Sequence, residues 1–169
     1  MENKTDFRIK AKIIRKSLDM TKISRIICEK IKDLDIYKSA NNILIFYPLN
    51  DEINLLPLLE DNKNFYLPRI NEDKLDICPY KKGDNLKESK FKTQEPLTQN
   101  ISPDKLDLII LPALAADKDN YRLGYGKGFY DRFLEATNAY TILPMPKSLV
   151  FDKIPTEKHD KKVNLIITE

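Results

Sequence analysis

Leu106-Asp107-Leu108-Ile109-Ile110-Leu111-Pro112 is the stretch whose reading decides the fold. A short, nearly continuous apolar run stopped by proline has the form of a strand buried on both faces. Upstream, Asn42-Ile-Leu-Ile-Phe-Tyr47, closed by Pro48, repeats the pattern. Phe65 to Pro68 and Asp76 to Tyr80 read as two more strands around the polar turn Asn71 to Lys74. Helical spacing runs through Ile9, Ile13, Ile14 and Leu18, then through Ile23, Ile27, Ile31 and Leu34. Asp19-Met20-Thr21 divides this stretch into two helices, with Asp19 or Thr21 as N-cap. Asn54 to Glu60 reads as a short helix with Pro57 in its first turn, and residues 128–137 as another through Phe129, Phe133, Leu134 and Ala136. Residues 81–103, polar and rich in Lys and Pro, are expected to run over the surface.

Strands alternating with helices predict a Rossmann-like α/β chain: a layered fold with a largely parallel central sheet flanked by helices. No repeat or linker divides residues 1–169, so one domain is expected. In such folds the binding crevice lies beyond the carboxyl ends of the strands, where the loop after Leu111 falls. The strand after Tyr140-Thr141 contains Pro144 and Pro146, which lack ladder donors, so this strand is expected at an edge or irregular.

Composition excludes several classes. The chain has 169 residues, 41% apolar and 33% charged, which suits a globular protein rather than a disordered one. The net charge of +3 demands neither a nucleic acid nor a membrane partner. Residues 1–32 nevertheless hold ten Lys/Arg against four Asp/Glu, enough to guide a polyanionic ligand or simply to form a solvated helix face. Cys28 and Cys78 are too far apart for a metal or redox motif, and Cys28, among isoleucines, reads as a buried thiol. The charged first sixteen residues do not resemble a signal peptide, and the apolar run Leu108–Ala116 is too short to span a bilayer. A cytoplasmic location is the expectation.

Three of the four glycines fall in Arg122-Leu123-Gly124-Tyr125-Gly126-Lys127-Gly128-Phe129-Tyr130-Asp131. Glycine lets another group approach the backbone closely, and alternate glycines before a helix can aim N–H groups at an anion. Lys127 and Arg122 supply cations able to neutralise phosphoryl oxygens. Asp131 follows in the first helical turn, where it can hold Mg2+ or simply complement the helix dipole. The block is neither a P-loop, since no Ser or Thr follows Lys127, nor a dinucleotide fingerprint, since position 129 is Phe. The residues themselves thus indicate phosphate handling, with a plain strand-to-helix turn as the alternative.

This block, with Leu111-Pro-Ala-Leu-Ala115 before it and Arg132 after it, resembles the signature of the 5-formyltetrahydrofolate cyclo-ligase family. Tyr47-Pro-Leu-Asn-Asp-Glu52-Ile and Ile154-Pro-Thr-Glu-Lys-His-Asp160, with Val163 and Ile166-Ile-Thr-Glu169, resemble the family's folate-binding and closing segments. Ala113, Ala116 and Asn120 depart from the usual Gly, Phe and Gly; Asn tolerates the left-handed turn that glycine would take. The resemblance implies ATP- and Mg2+-dependent conversion of 5-formyltetrahydrofolate to 5,10-methenyltetrahydrofolate. It implies ATP contacts from Arg122 to Tyr130, with Lys127 and Arg122 acting in catalysis, and substrate contacts from Tyr125 to Phe129, Tyr47 and Glu52. It implies Mg2+ ligands at Asp131 and Asp160, and an N-terminal ATP contact at Lys4 and Arg8, with Lys12 and Arg15 as the rival pair. The expected partners are ATP and the folate alone, for a monomer bound to neither nucleic acid nor membrane. The other reading is a folate- or nucleotide-binding relative of the same fold weakened in catalysis. Three residues stand apart: His159, the sole histidine, reads as exposed, Glu52 can equally complement a helix N-terminus, and Asp160 is selected by the resemblance alone.

Overall fold

The computed structural model describes residues 1–169. Helix α1 (Lys4–Arg15) begins with a reciprocal cap: Asn3 Oδ1 accepts from the N–H groups of Thr5 and Asp6, and the Asp6 carboxylate accepts from the Asn3 N–H. Helix α2 (Met20–Asp33) begins at Asp19, whose carboxylate accepts from the Lys22 N–H at 3.1 Å. The break predicted at Asp19 is therefore present, with Asp19 as the cap. A five-residue helix, α3 (Asp35–Ser39), follows and leads into the sheet.

The central sheet contains β1 (Asn42–Leu44), β2 (Asn64–Asn71), β3 (Lys74–Pro79), β6 (Leu108–Ile110), β9 (Tyr140–Pro144) and β11 (Leu165–Ile167). Its order is β11-β9-β6-β1-β2-β3, parallel throughout except for the β2–β3 hairpin at one edge. A small second sheet contains β7 (Ala115–Asp117), β8 (Arg122–Leu123) and β10 (Val150–Phe151). The largely parallel α/β architecture read from the sequence is the one observed.

Strand periodicity explains how the sheet divides the core. Ile43, Ile45, Leu108, Ile110 and Ile142 face one side, where they join Ile23, Ile27 and Ile31 of α2. Leu44, Ile109 and Leu143 face the other, with Ala11 of α1 and Phe133 of α4 (Phe129–Leu134). The strand read at Leu106–Leu111 is central and buried but shorter, Leu108–Ile110, with Asp107 exposed before it.

Several expectations are corrected. Strand β9 is neither at an edge nor irregular: it pairs with β6 on one side and β11 on the other. Pro144 is its last residue, and the Met145 N–H donates to Ile167 O at 3.0 Å. On the β6 side the Leu111 N–H still donates to Ile142 O at 2.8 Å, and Pro144 stands at the next rung, so its missing N–H ends that ladder without interrupting the pairing before it. The segment 54–60 is a 3-10 helix, Leu56–Glu60, with Pro57 at its start. Residues 81–103 are more than a surface run: β4 (Leu86–Glu88) and β5 (Gln94–Pro96) form a hairpin. Glu95 fastens it to β2 by accepting from the Ile70 N–H at 2.7 Å. Helix α4 stops at Leu134, short of the predicted 137. No helix is long and apolar enough to cross a membrane.

Candidate active site

At the carboxyl edge of the sheet, Phe46 and Tyr47 beyond β1, Pro68 and Ile70 on β2, and Pro112 beyond β6 form the floor of a cleft of about 810 Å³. The crevice thus lies where parallel strands end, as the fold class requires. The glycine block does join a strand to a helix, β8 to α4, but β8 belongs to the small second sheet and not to the central one. The chain first leaves Pro112 to form β7 and β8, and the block then returns over the cleft. Asn120 makes the tight turn between those strands at φ +69°, as its tolerance of left-handed backbone allows.

The block is shaped by left-handed backbone at Gly126 (φ +106°) and Gly128 (φ +70°). The N–H groups of Tyr125, Gly126, Lys127 and Gly128 donate to no backbone carbonyl. Such a run of uncommitted donors can form an anion nest, to which the six-residue helix α4 can add the N–H groups of its first turn. Arg8 braces the loop by donating from Nε to Gly124 O at 2.9 Å, and Arg132 by donating from Nη1 to Lys127 O at 3.0 Å. Lys127 is exposed and takes part in none of the chain's ion pairs. Its Nζ lies 5.9 Å from the centre of the Phe91 ring.

Arg122 sits beneath the block, buried, with Nη1 on Pro112 O at 3.3 Å and Nη2 3.6 Å from Asp131 Oδ1. Its Nε has no hydrogen-bond partner. Burial weakens its hold on the proton, while Asp131 and Asp160 act in the opposite sense. On the facing wall, Asp160 accepts from Lys4 Nζ at 2.7 Å and from the Glu157 N–H at 2.7 Å. Burial alone would raise the Asp160 pKa, but those two bonds hold it below the usual carboxylate range. Both acids are hard oxygen donors, and no cage of three or more His, Cys, Asp or Glu side chains surrounds them. Such a pair fits Mg2+ carried in on phosphates, because that ion keeps few protein ligands.

At the other end, Glu52 is buried with both oxygens engaged. Oε1 accepts from the Leu49 N–H at 2.7 Å, and Oε2 from the Tyr125 hydroxyl at 2.9 Å. Burial pushes its pKa up, against the pull of those two bonds and of Arg15. Tyr125 is therefore a bridge: it belongs to the glycine block and touches the carboxylate across the cleft.

Lys4, Arg8, Tyr47, Glu52, Arg122 through Asp131 and Asp160 all line this one cleft. Of the two N-terminal registers, Lys4 and Arg8 reach it. Lys12 points to solvent, and Arg15 is buried against backbone carbonyls. His159, exposed as expected, stands at the rim. Sequence reasoning missed Thr93, Gln94 and Glu95, which form a further wall beside Phe91. Phe91 packs edge-on against Phe129 with ring centres 6.1 Å apart. No apolar period marks those three polar residues.

The cleft is thus that of an open α/β sheet, with Lys4, Arg8, Arg122 and Lys127 set beside Glu52, Asp131 and Asp160 at its carboxyl edge. The family model described as the 5-formyltetrahydrofolate cyclo-ligase family matches residues 4–169, and the chain belongs to that family. Among its relatives, 5-formyltetrahydrofolate cyclo-ligase of Mus musculus is 27% identical over 166 residues, covering 86% of this chain and 82% of the mouse protein. The Haemophilus influenzae cyclo-ligase is 31% identical over 136 residues, 73% of each chain. The 5,10-methenyltetrahydrofolate synthetase of Aquifex aeolicus superposes with a TM-score of 0.85 at 26% identity, covering 96% of this chain and 88% of that one. The Mycoplasma pneumoniae synthetase shares the fold, with a TM-score of 0.81 at 20% identity over 99% of both chains.

Proposed function

We propose that this chain converts 5-formyltetrahydrofolate to 5,10-methenyltetrahydrofolate, consuming ATP with Mg2+ and releasing ADP and phosphate. One observation carries the reading beyond the family match: the 2.9 Å bond from Tyr125 to Glu52 joins a phosphate-type loop to a buried carboxylate in the same cleft. A donor and an acceptor can thus be held against each other, which is most of what phosphoryl transfer asks of a protein.

The formyl group is an amide, so its carbon is a poor electrophile until its oxygen becomes a leaving group. The formyl oxygen attacks the γ-phosphorus and ADP departs. Nitrogen 10 then attacks the formyl carbon, losing its proton as the C–O bond breaks, and phosphate leaves with the former formyl oxygen. The nest at residues 125–128 would hold the phosphates. Lys127, exposed and uncommitted, would neutralise charge on the transferred group, and Arg122, lining the cleft from beneath, would add its own charge. Lys4 and Arg8 would close over the nucleotide from α1. Glu52 would accept from the pterin N–H donors in place of the Tyr125 hydroxyl, with Tyr47 beside it. Asp131 and Asp160 would hold Mg2+, which offsets the negative charge of the phosphates it accompanies.

The weakened-relative reading drew on Pro144 and Pro146, and the regular pairing of β9 removes that motive. The test is growth of methenyltetrahydrofolate absorbance on mixing the protein with Mg-ATP and 5-formyltetrahydrofolate. ATP-dependent growth supports the reading. Tight folate binding without turnover or ATP consumption refutes it in favour of the binding protein.

A further inference from the structure

The chemistry above leaves one buried cation unused. Arg15, 4% exposed, ends α1 on the same face as Lys4 and Arg8. Its guanidinium hydrogen-bonds no carboxylate. Nη2 donates to Ala113 O at 2.6 Å and Leu114 O at 3.0 Å, Nε to Leu114 O at 3.3 Å, and Nη1 to Asp51 O at 2.5 Å. These carbonyls belong to two separate segments. Residues 113 and 114 continue the turn whose Pro112 O accepts from Arg122, and Asp51 immediately precedes Glu52. Three successive carbonyls are therefore shared between two buried guanidiniums, one under the phosphate side of the cleft and one under the acceptor side.

We propose that Arg15 is a positioning residue, which sets the spacing between Glu52 and Arg122 by tying the Asp51 carbonyl to the Pro112–Leu114 turn. This rests on the reading of Glu52 as the acceptor anchor. A planar fork with diverging donors can span these carbonyls at once; a compact ammonium cannot. The charge has a second effect. Glu52 faces Tyr125 and Tyr130 of the glycine block, Asp51 of its own loop, and Arg15 of α1. Burial and Asp51 favour its protonated form, whereas Arg15, the Leu49 N–H and Tyr125 favour the carboxylate. Arg15 thus helps keep the anchor ionised as well as placed.

The two contributions separate in R15K and R15M, assayed with each substrate varied and across pH 5 to 8. R15K keeps the charge but loses the fork, so the folate KM should rise about ten-fold, the worth of a lost charge-assisted hydrogen bond. Its ATP KM should stay within about two-fold and its acidic limb should match wild type, since the phosphate wall and the charge are retained. R15M loses both, so its folate KM should rise further and its acidic limb move toward neutrality. A wild-type folate KM in either folded variant overturns the proposal, as does an equal rise in both KM values with an unmoved limb in R15M. If R15M does not fold, R15K decides alone. E52Q measured alongside tests the reading beneath: a wild-type folate KM there overturns the anchor and this proposal with it. A folate KM raised in E52Q but not in R15K overturns the proposal alone.

Discussion

Lys127 and Arg122 carry the same charge in opposite settings. Lys127 is exposed and outside every ion pair, whereas Arg122 is buried among Pro112, Asp131 and the Tyr130 ring. Removing Lys127 therefore leaves no buried group unpaired, and its loss should appear in turnover rather than in folding. Lys127→Ala is expected to lower kcat about a hundred-fold or more, the usual cost of a lost transition-state charge partner, with the folate dissociation constant unchanged within about three-fold. Steady-state kinetics beside a folate titration check this, and a full kcat would remove Lys127 from the chemistry. Glu52 makes a pH prediction. Because burial raises its pKa, the carboxylate is lost on acidification earlier than in an ordinary glutamate. Folate binding should consequently weaken as pH falls through that raised value, and Glu52→Gln should abolish this limb while raising the folate KM. Burial pushes the Cys28 thiol up to about 11, leaving it protonated at neutral pH.

Among the elements, the glycine block separates two kinds of glycine. Gly126 holds φ +106°, so alanine there is strained whatever the space available, although the nearest Arg8 atoms would stand 3.6 Å from the new Cβ. Gly124 has ordinary φ, but a Cβ would press on Arg122 Nη1 at 3.1 Å. Gly126→Ala should cost about 1–2 kcal/mol, the penalty of a left-handed residue with a side chain, and should raise the ATP KM. Gly124→Ala should instead act through Arg122, lowering kcat with a smaller loss of stability. Thermal melts and kinetics on the pair distinguish the routes; equal behaviour would refute the assignment. The block was readable because glycine spacing and charge are local properties. The β4–β5 hairpin was not, since it is fastened by a side chain on a backbone group, Glu95 on the Ile70 N–H, rather than by an apolar period. Thr93, Gln94 and Glu95 consequently reached the cleft wall without a pattern to announce them.

In the whole molecule, the central sheet separates two apolar clusters and carries the cleft on one end. Ile109 lies wholly buried in the cluster shared with α1 and α4. Ile109→Ala should cost about 2–5 kcal/mol in chemical denaturation, through lost burial and the cavity left behind, while the folded fraction keeps its KM values. Changed KM values at unchanged stability would contradict that division between core and site. The sequence by itself determined the strand around Leu108–Ile110, the helix break at Asp19, the parallel α/β class and the gathering of glycine and charge in residues 122–131. Each follows from residue spacing, capping chemistry or glycine content, which act over a few neighbours. Only the tertiary structure decided that β9 lies inside the sheet, because a proline at the last rung ends a ladder without interrupting it, and only the fold shows which rung is last. Only it decided that Lys4 and Arg8 reach the cleft while Arg15 clasps Asp51, Ala113 and Leu114. Basic residues on one helix are equivalent in sequence, and the carbonyls and carboxylates that tell them apart lie tens of residues away.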